Sequence, residues 1–256
     1  MIDSHCHLEF DHFDGEREKV ISTAKNRIKG VVDSSADIEN AQNVLSLHED
    51  HPNFIFPSLG LHPKEAVQAS EDEIEKFKEI ARGKKYEIVA IGEVGLDYYH
   101  VKGDKDREKS KDVFEEMIEL SNSLELPLVV HSRDSLKPAL EILERKEGDV
   151  IIHCFAGNKE QLEECIDRDY YLSFGGIIFR AEGKYRPLLE RTPLENLLLE
   201  TDAPFLAKRK KDRSEPWFIR EIANRIAEVK GVDFDEVWEK AGKNAKDVFS
   251  LPVSLE

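Results

Sequence analysis

Short apolar runs alternate along the chain with longer stretches whose apolar positions recur every three or four residues. Eight of the short runs read as strands: Met1 to His5, Gly30 to Ser34, Asn53 to Leu59, Glu87 to Gly92, Leu126 to His131, Asp149 to His153, Tyr171 to Phe174 and Asn196 to Thr201. Several are continuous in Val, Ile or Leu, as strands covered on both faces require. Between them, Val113, Phe114, Met117, Ile118, Ser121 and Leu124 fall at helical spacing, and so do Leu136, Ala139, Leu140 and Leu143. Ser70 with Glu73, and Asn158 with Gln161, predict capping boxes; Ser214 followed by Pro216 predicts a cap and a first-turn proline. Two further helices follow the eighth strand, one carrying Ile219, Ile222, Ala223 and Ile226, the other Phe234, Val237, Trp238, Ala241, Ala245 and Val248.

Eight strand–helix units in 256 residues predict an α/β fold closed as a TIM (β/α)8 barrel, with residues 1–256 forming one domain. The first strand-to-helix connection, Cys6 to Gly15, lacks the Gly-x-Gly-x-x-Gly pattern of a nucleotide-binding open sheet. The apolar runs are far too short to span a bilayer, and no charged-then-apolar leader precedes the first strand, so no membrane association and a cytoplasmic location are expected. Three widely spaced cysteines, Cys6, Cys154 and Cys165, argue against a disulfide framework or a thiolate zinc site. Cys6 and Cys154 adjoin candidate ligands and are expected to face the other way, into apolar packing.

The charge of −16 opposes non-specific binding to nucleic acid, though a bound dication reverses the sign of a site locally. Were the substrate a nucleic acid, this charge would favour ends or short strands over long duplexes. A basic cluster, Lys208 to Lys211 with Arg213, is either a solvated loop or one that faces substrate.

Reactive residues of a barrel are expected where strands end. His5 and His7 close the first strand on one side of it, by the two-residue alternation. Glu93 follows the fourth strand, His131 and His153 end the fifth and sixth, and Asp202 follows the eighth. Four imidazoles and two carboxylates suffice for two divalent ions if one carboxylate bridges, and Glu93 lies between the two groups of histidines. His62, Lys64 and Arg133 are candidate phosphate contacts. Glu200 shares Asp202's side of its strand and is either close to the ions or orients a ligand histidine. Tyr98, Tyr99 and His100 either line the mouth or pack at its rim. His12, His48 and His51 read as ordinary surface residues.

Asp3-Ser4-His5-Cys6-His7-Leu8, Gly60-Leu61-His62-Pro63, Ile91 to Tyr98, His131-Ser132-Arg133, His153 to Gly157, Ser173 to Gly176 and Leu199 to Pro204 together resemble the TatD family of metal-dependent hydrolases. The resemblance implies an amidohydrolase-like barrel, a two-metal site using Mg or Mn, with Zn as a further option, and deoxyribonuclease activity, often 3′-to-5′ on single strands. It also implies that His5, His7, Glu93, His131, His153 and Asp202 bind metal. Glu93 and Asp202 are the expected catalytic carboxylates, and His62 and Arg133 the expected substrate contacts. Two departures stand out. Met117 occupies the place of a usual glutamine, and Lys210 to Pro216 replaces an Arg-Gly-rich loop, which bears on substrate preference. DNA is the expected partner, with no obligate protein partner. Hydrolysis of an ester or amide, as in a D-aminoacyl-tRNA deacylase, and a non-catalytic scaffold are the alternatives.

Overall fold

The computed structural model describes residues 1–255. Among them, eight parallel strands follow one another around the sheet in chain order: β1 (Ile2–Cys6), β2 (Gly30–Ser34), β3 (Ile55–Leu59), β4 (Ala90–Asp97), β5 (Leu128–Arg133), β6 (Val150–Ile152), β7 (Tyr171–Phe174) and β8 (Leu197–Leu199). Around them run α1 (Arg17–Lys25), α2 (Ile38–Asp50), α3 (Pro63–Ala66), α4 (Glu71–Gly83), α5 (Asp104–Leu124), α6 (Leu136–Ile142), α7 (Lys159–Asp167), α8 (Glu182–Arg191), α9 (Ile219–Lys230) and α10 (Phe234–Val248). Both expected capping boxes are present, Ser70 with Glu73 on α4 and Asn158 with Gln161 on α7. Ser214 does not cap. Its hydroxyl reaches back to the Thr201 carbonyl, and Glu215 precedes the short turn that Pro216 begins. No helix of the described residues is long and apolar enough to cross a membrane.

The seam between β8 and β1 is stitched by side chains and by the loop after β8. The Asp3 carboxylate accepts from the Thr201 N–H at 2.9 Å and its hydroxyl at 2.5 Å. The Ser4 hydroxyl donates to the Leu199 carbonyl at 2.8 Å, and the Asp202 N–H donates to the His5 carbonyl at 3.0 Å. Burial pushes Asp3 up to about 8 despite the hydrogen bonds from Thr201.

Ile2, Val32, Phe56, Ala90, Val129, Ile151 and Leu198, from seven of the strands, form one buried cluster with Ala245, Val248, Phe249 and Leu251 at the end of α10. This apolar plug lies where the strands begin, with Gly242 of α10 against Met1. The opposite end is left for polar groups. Period-two alternation then places His131 two residues after Val129, His153 after Ile151 and Glu200 after Leu198 on the same inward side. His5 and Glu93 do not follow that rule. Both lie at shifts of register, between Asp3 and Cys6 in β1 and between Ile91 and Val94 in β4, where a bulge re-aims one side chain.

Several strand limits differ from the sequence expectation. β4 begins later than Glu87 and runs past Gly92 to Asp97, because its ladder with β5 continues through Val94–Val130 to Asp97–Arg133. Glu93 therefore sits inside a strand, and so does His131. β8 is shorter than expected: Asn196 belongs to the preceding turn, where its amide donates to the Tyr170 carbonyl, and Thr201 belongs to the following loop.

Candidate metal centre

His5, His7, Glu93, His131, His153 and Asp202, scattered over 198 residues of sequence, converge at the strand ends. His5 Nε2 lies 3.2 Å from His7 Nε2, 3.5 Å from Glu93 Oε2 and 3.9 Å from Asp202 Oδ1. His7 Nε2 lies 3.8 Å from Glu93 Oε2 and 3.5 Å from Asp202 Oδ1. An ion held at about 2.1 Å separates neighbouring donors by roughly 3.0 Å in an octahedron and roughly 3.4 Å in a tetrahedron, so this spacing suits one cation. On the other side, Glu93 Oε1 lies 2.5 Å from His131 Nδ1 and 3.6 Å from His153 Nε2.

The remaining ring nitrogens fit the same reading. His7 Nδ1 is 2.6 Å from the Ser34 carbonyl, which can only accept, so Nδ1 carries hydrogen and Nε2 is the nitrogen turned toward His5 and Asp202. His5 Nδ1 meets the Ser34 hydroxyl at 3.2 Å, His153 Nδ1 meets Glu200 Oε2 at 2.9 Å, and His131 Nε2 meets Asp97 Oδ2 at 3.2 Å. His5, His7 and His153 thus each have Nδ1 tied to the protein and Nε2 turned to the cluster, the arrangement that fixes ligand tautomers, whereas His131 meets Asp97 through Nε2 and Glu93 through Nδ1. Burial opposes charge on Glu93, yet the imidazoles of His153 and His131 hold it well below the usual carboxylate range. Asp202 is held low in the same way, by His7 and His153 against its burial. Two ionised carboxylates among inward-facing imidazoles make a donor set for divalent cations.

Local structure explains this precision. The backbone of Glu93 presses so closely on Gly60 that a Cβ there would meet Glu93 N at 2.3 Å, which only glycine permits. Asp202 adopts a left-handed conformation with φ 53°, and its carbonyl accepts from the Phe205 N–H at 2.7 Å, closing a tight turn.

A cavity of about 770 Å³ opens over the cluster. His62, Lys64 and Arg133 line it, as the sequence suggested. His62 caps α3, its Nδ1 accepting from the Lys64 N–H at 3.2 Å, and burial together with neighbouring His131 pushes it down to about 4. A neutral His62 with Nδ1 accepting carries its hydrogen on Nε2. The Arg133 guanidinium lies 3.9 Å over the Tyr99 ring. Of the basic cluster, Lys210, Lys211 and Arg213 line the cavity, while Lys208 pairs with Glu221 at 3.1 Å. His100 lines the cavity and bonds Asp97, whereas Tyr98 packs on the core beneath Arg107.

Two expectations need correction. Cys6 is buried in the core as expected, but Cys154 is only partly covered and lies within electrostatic range of Glu200, Asp202 and Glu93. β6 ends at Ile152, and Cys154 turns at φ 45°, so strand alternation no longer governs it. His12 is exposed but lines the cavity mouth, 5.5 Å from the Phe205 ring. His48 and His51 are ordinary, the first bonded to the Ile55 carbonyl, the second beside Lys25 and Glu18. Asp97, Phe10 and Phe205 were missed. Asp97 could have been found, since it follows Glu93 by four residues on the same strand face.

Comparison with known proteins agrees with this fold. A family profile described as TatD related DNase matches residues 2–250. The chain is 33% identical over 258 residues to the uncharacterized metal-dependent hydrolase YabD of Bacillus subtilis, covering 98% of this chain and 99% of that protein. It is 32% identical to the human deoxyribonuclease TATDN3, covering 97% of this chain and 94% of that one. The crystal structure of YjjV, a TatD homolog from Escherichia coli, superposes with a TM-score of 0.90 at 26% identity, covering 98% of each chain. Barrel, donor set and relatives converge on one assignment: the chain belongs to the TatD-related DNase family of metal-dependent hydrolases.

Proposed function

We propose that this chain is a two-metal phosphodiesterase that removes nucleotides from the 3′ end of single-stranded DNA. The observation that carries the reading is Glu93, whose Oε2 faces His5 and His7 while its Oε1 faces His131 and His153. One carboxylate is thereby shared between two groups of donors, and His5, His7 and Asp202 complete one group as His131 and His153 complete the other. When bound, the divalent ions, Mg or Mn, lower the pKa of an attacking water and neutralise charge on the scissile phosphate.

The chain's own residues do the rest. Asp202 presents an ionised Oδ1 beside His7 and accepts the proton of the attacking water. His62, neutral and hydrogen-bearing at Nε2, donates to a phosphate oxygen, and Arg133, from the same cavity wall, holds the phosphate with it. Lys210 and Lys211 restore local positive charge at the mouth of an acidic protein.

The test is a time course on 5′-labelled single-stranded DNA with Mg, Mn or chelator, beside Glu93→Ala of unchanged circular dichroism. A metal-dependent ladder shortening from the 3′ end, abolished in the variant, is expected. Unchanged turnover in Glu93→Ala refutes the shared-carboxylate mechanism. Inertness of a protein loaded with two ions toward DNA, with hydrolysis of aminoacyl-RNA or small esters, moves the assignment to carbonyl substrates.

A further inference from the structure

Among the described residues, the exposed large hydrophobic side chains are Tyr86, Tyr99 and Phe205. Phe205 is 41% exposed and lines the cavity over the metal cluster, three residues after Asp202. The backbone holds it firmly. Its N–H closes the turn onto Asp202, and the next carbonyl, of Leu206, lies where a Cβ on Gly176 would sit at 1.7 Å.

Three rings surround it: His12 at 5.5 Å, Phe10 at 5.9 Å and His7 at 6.1 Å between centroids, at interplanar angles of 65–74°. None lies parallel on Phe205, the arrangement a nucleobase would take. Phe10, by contrast, is already stacked on His7 at 4.8 Å and 15°. Lys210 and Lys211, on the same loop, line the cavity alongside and suit the phosphates of a strand whose base rests on the ring.

We infer that Phe205 is the stacking platform for the base of the nucleotide adjoining the scissile phosphate, which rests on the nuclease reading above. Base–aromatic stacking tolerates sequence, because every base has a π-face, so this platform selects nucleotides over other phosphodiesters without selecting among bases. It positions the strand on the His7 side of the cluster, opposite His62 and Arg133.

The experiment compares wild type, Phe205→Ala and Phe205→Trp on four substrates with Mn: an intact oligonucleotide, the same strand with an abasic residue at its 3′ terminus, the same strand abasic at the penultimate position, and methyl p-nitrophenyl phosphate. Phe205→Ala is expected to raise KM on the intact strand about tenfold. It should match wild type on the small diester and on one of the two abasic strands, and Phe205→Trp should restore the KM. Equal loss on all four substrates, or no loss on the intact strand, overturns the inference and leaves the nuclease reading standing. Failure of the wild type to cut any strand overturns both.

Discussion

Replacing Glu200 with glutamine tests whether the centre depends on residues that never touch an ion. Glu200 is fully buried, its Oε2 is 2.9 Å from His153 Nδ1, and its Oε1 has no hydrogen-bond partner among the described residues. With Glu200 and Glu93 opposing the effect of burial, His153 is pushed up to about 9. Gln can still accept from Nδ1 through its carbonyl oxygen, but the bond becomes neutral and loses roughly 1–1.5 kcal/mol, about tenfold in metal affinity. The amide nitrogen must then occupy the place of Oε1, where a buried donor without a partner costs about 1–3 kcal/mol. In a chain of this size that lowers Tm by roughly 2–12 °C. Calorimetric titration with Mn and thermal melts of metal-free protein separate the two effects. A folded Glu200→Gln that binds Mn as tightly as wild type would show that His153 does not need its carboxylate partner.

The Asp3 seam predicts a pH dependence. With Asp3 at about 8 in the fold and near 4 when unfolded, the native chain holds a proton that the unfolded chain has released, so stability falls as pH rises between these values, by up to about 1.4 kcal/mol per pH unit. Asp3→Asn should flatten the decline of Tm in metal-free protein from pH 5 to 8; parallel curves for both proteins would refute it. Arg213 bonds the His12 carbonyl at 2.6 Å, Glu16 at 3.0 Å and Glu215 at 2.9 Å, joining the loop after β8 to the segment before α1. Being partly exposed, it contributes about 1 kcal/mol or less to stability. Arg213→Ala should therefore leave the melt nearly unchanged while raising KM for oligonucleotides several-fold, and an unchanged KM would show that this tie does not shape the substrate surface.

The legibility of the site in the sequence follows the regularity of the backbone beneath it. His131 and His153 could be placed because two-residue alternation carries inward-facing Val129 and Ile151 directly to them. Glu93 could be named and placed between the two groups of histidines, but not as a residue inside β4, because a register shift there turns it inward and no periodicity reports a bulge. The sequence reading ends the fourth strand at Gly92, where the ladder in fact continues to Asp97. Cys154, His12 and Phe205 lie in turns and loops whose course is set by partners far along the chain, such as the Leu206 carbonyl against Gly176. The departure at Met117 has a plain structural meaning: the residue is buried in the core face of α5.

The bonds that shut the barrel are also the bonds that bring His5 to Asp202. Asp3 grips Thr201 and the His5 carbonyl takes the Asp202 N–H, so the proposed pair of ligands is joined by the same stitches as the seam. During synthesis His5 and His7 emerge first and wait for a partner nearly 200 residues away, until the eighth strand has left the ribosome. On the proposed ligand set, a chain halted before Asp202 carries most of the donors yet lacks one of the first group. Metal occupancy is therefore a gauge of whether the circle of strands has been joined, and a metal-sensitive probe on stalled nascent chains would register closure of the fold itself.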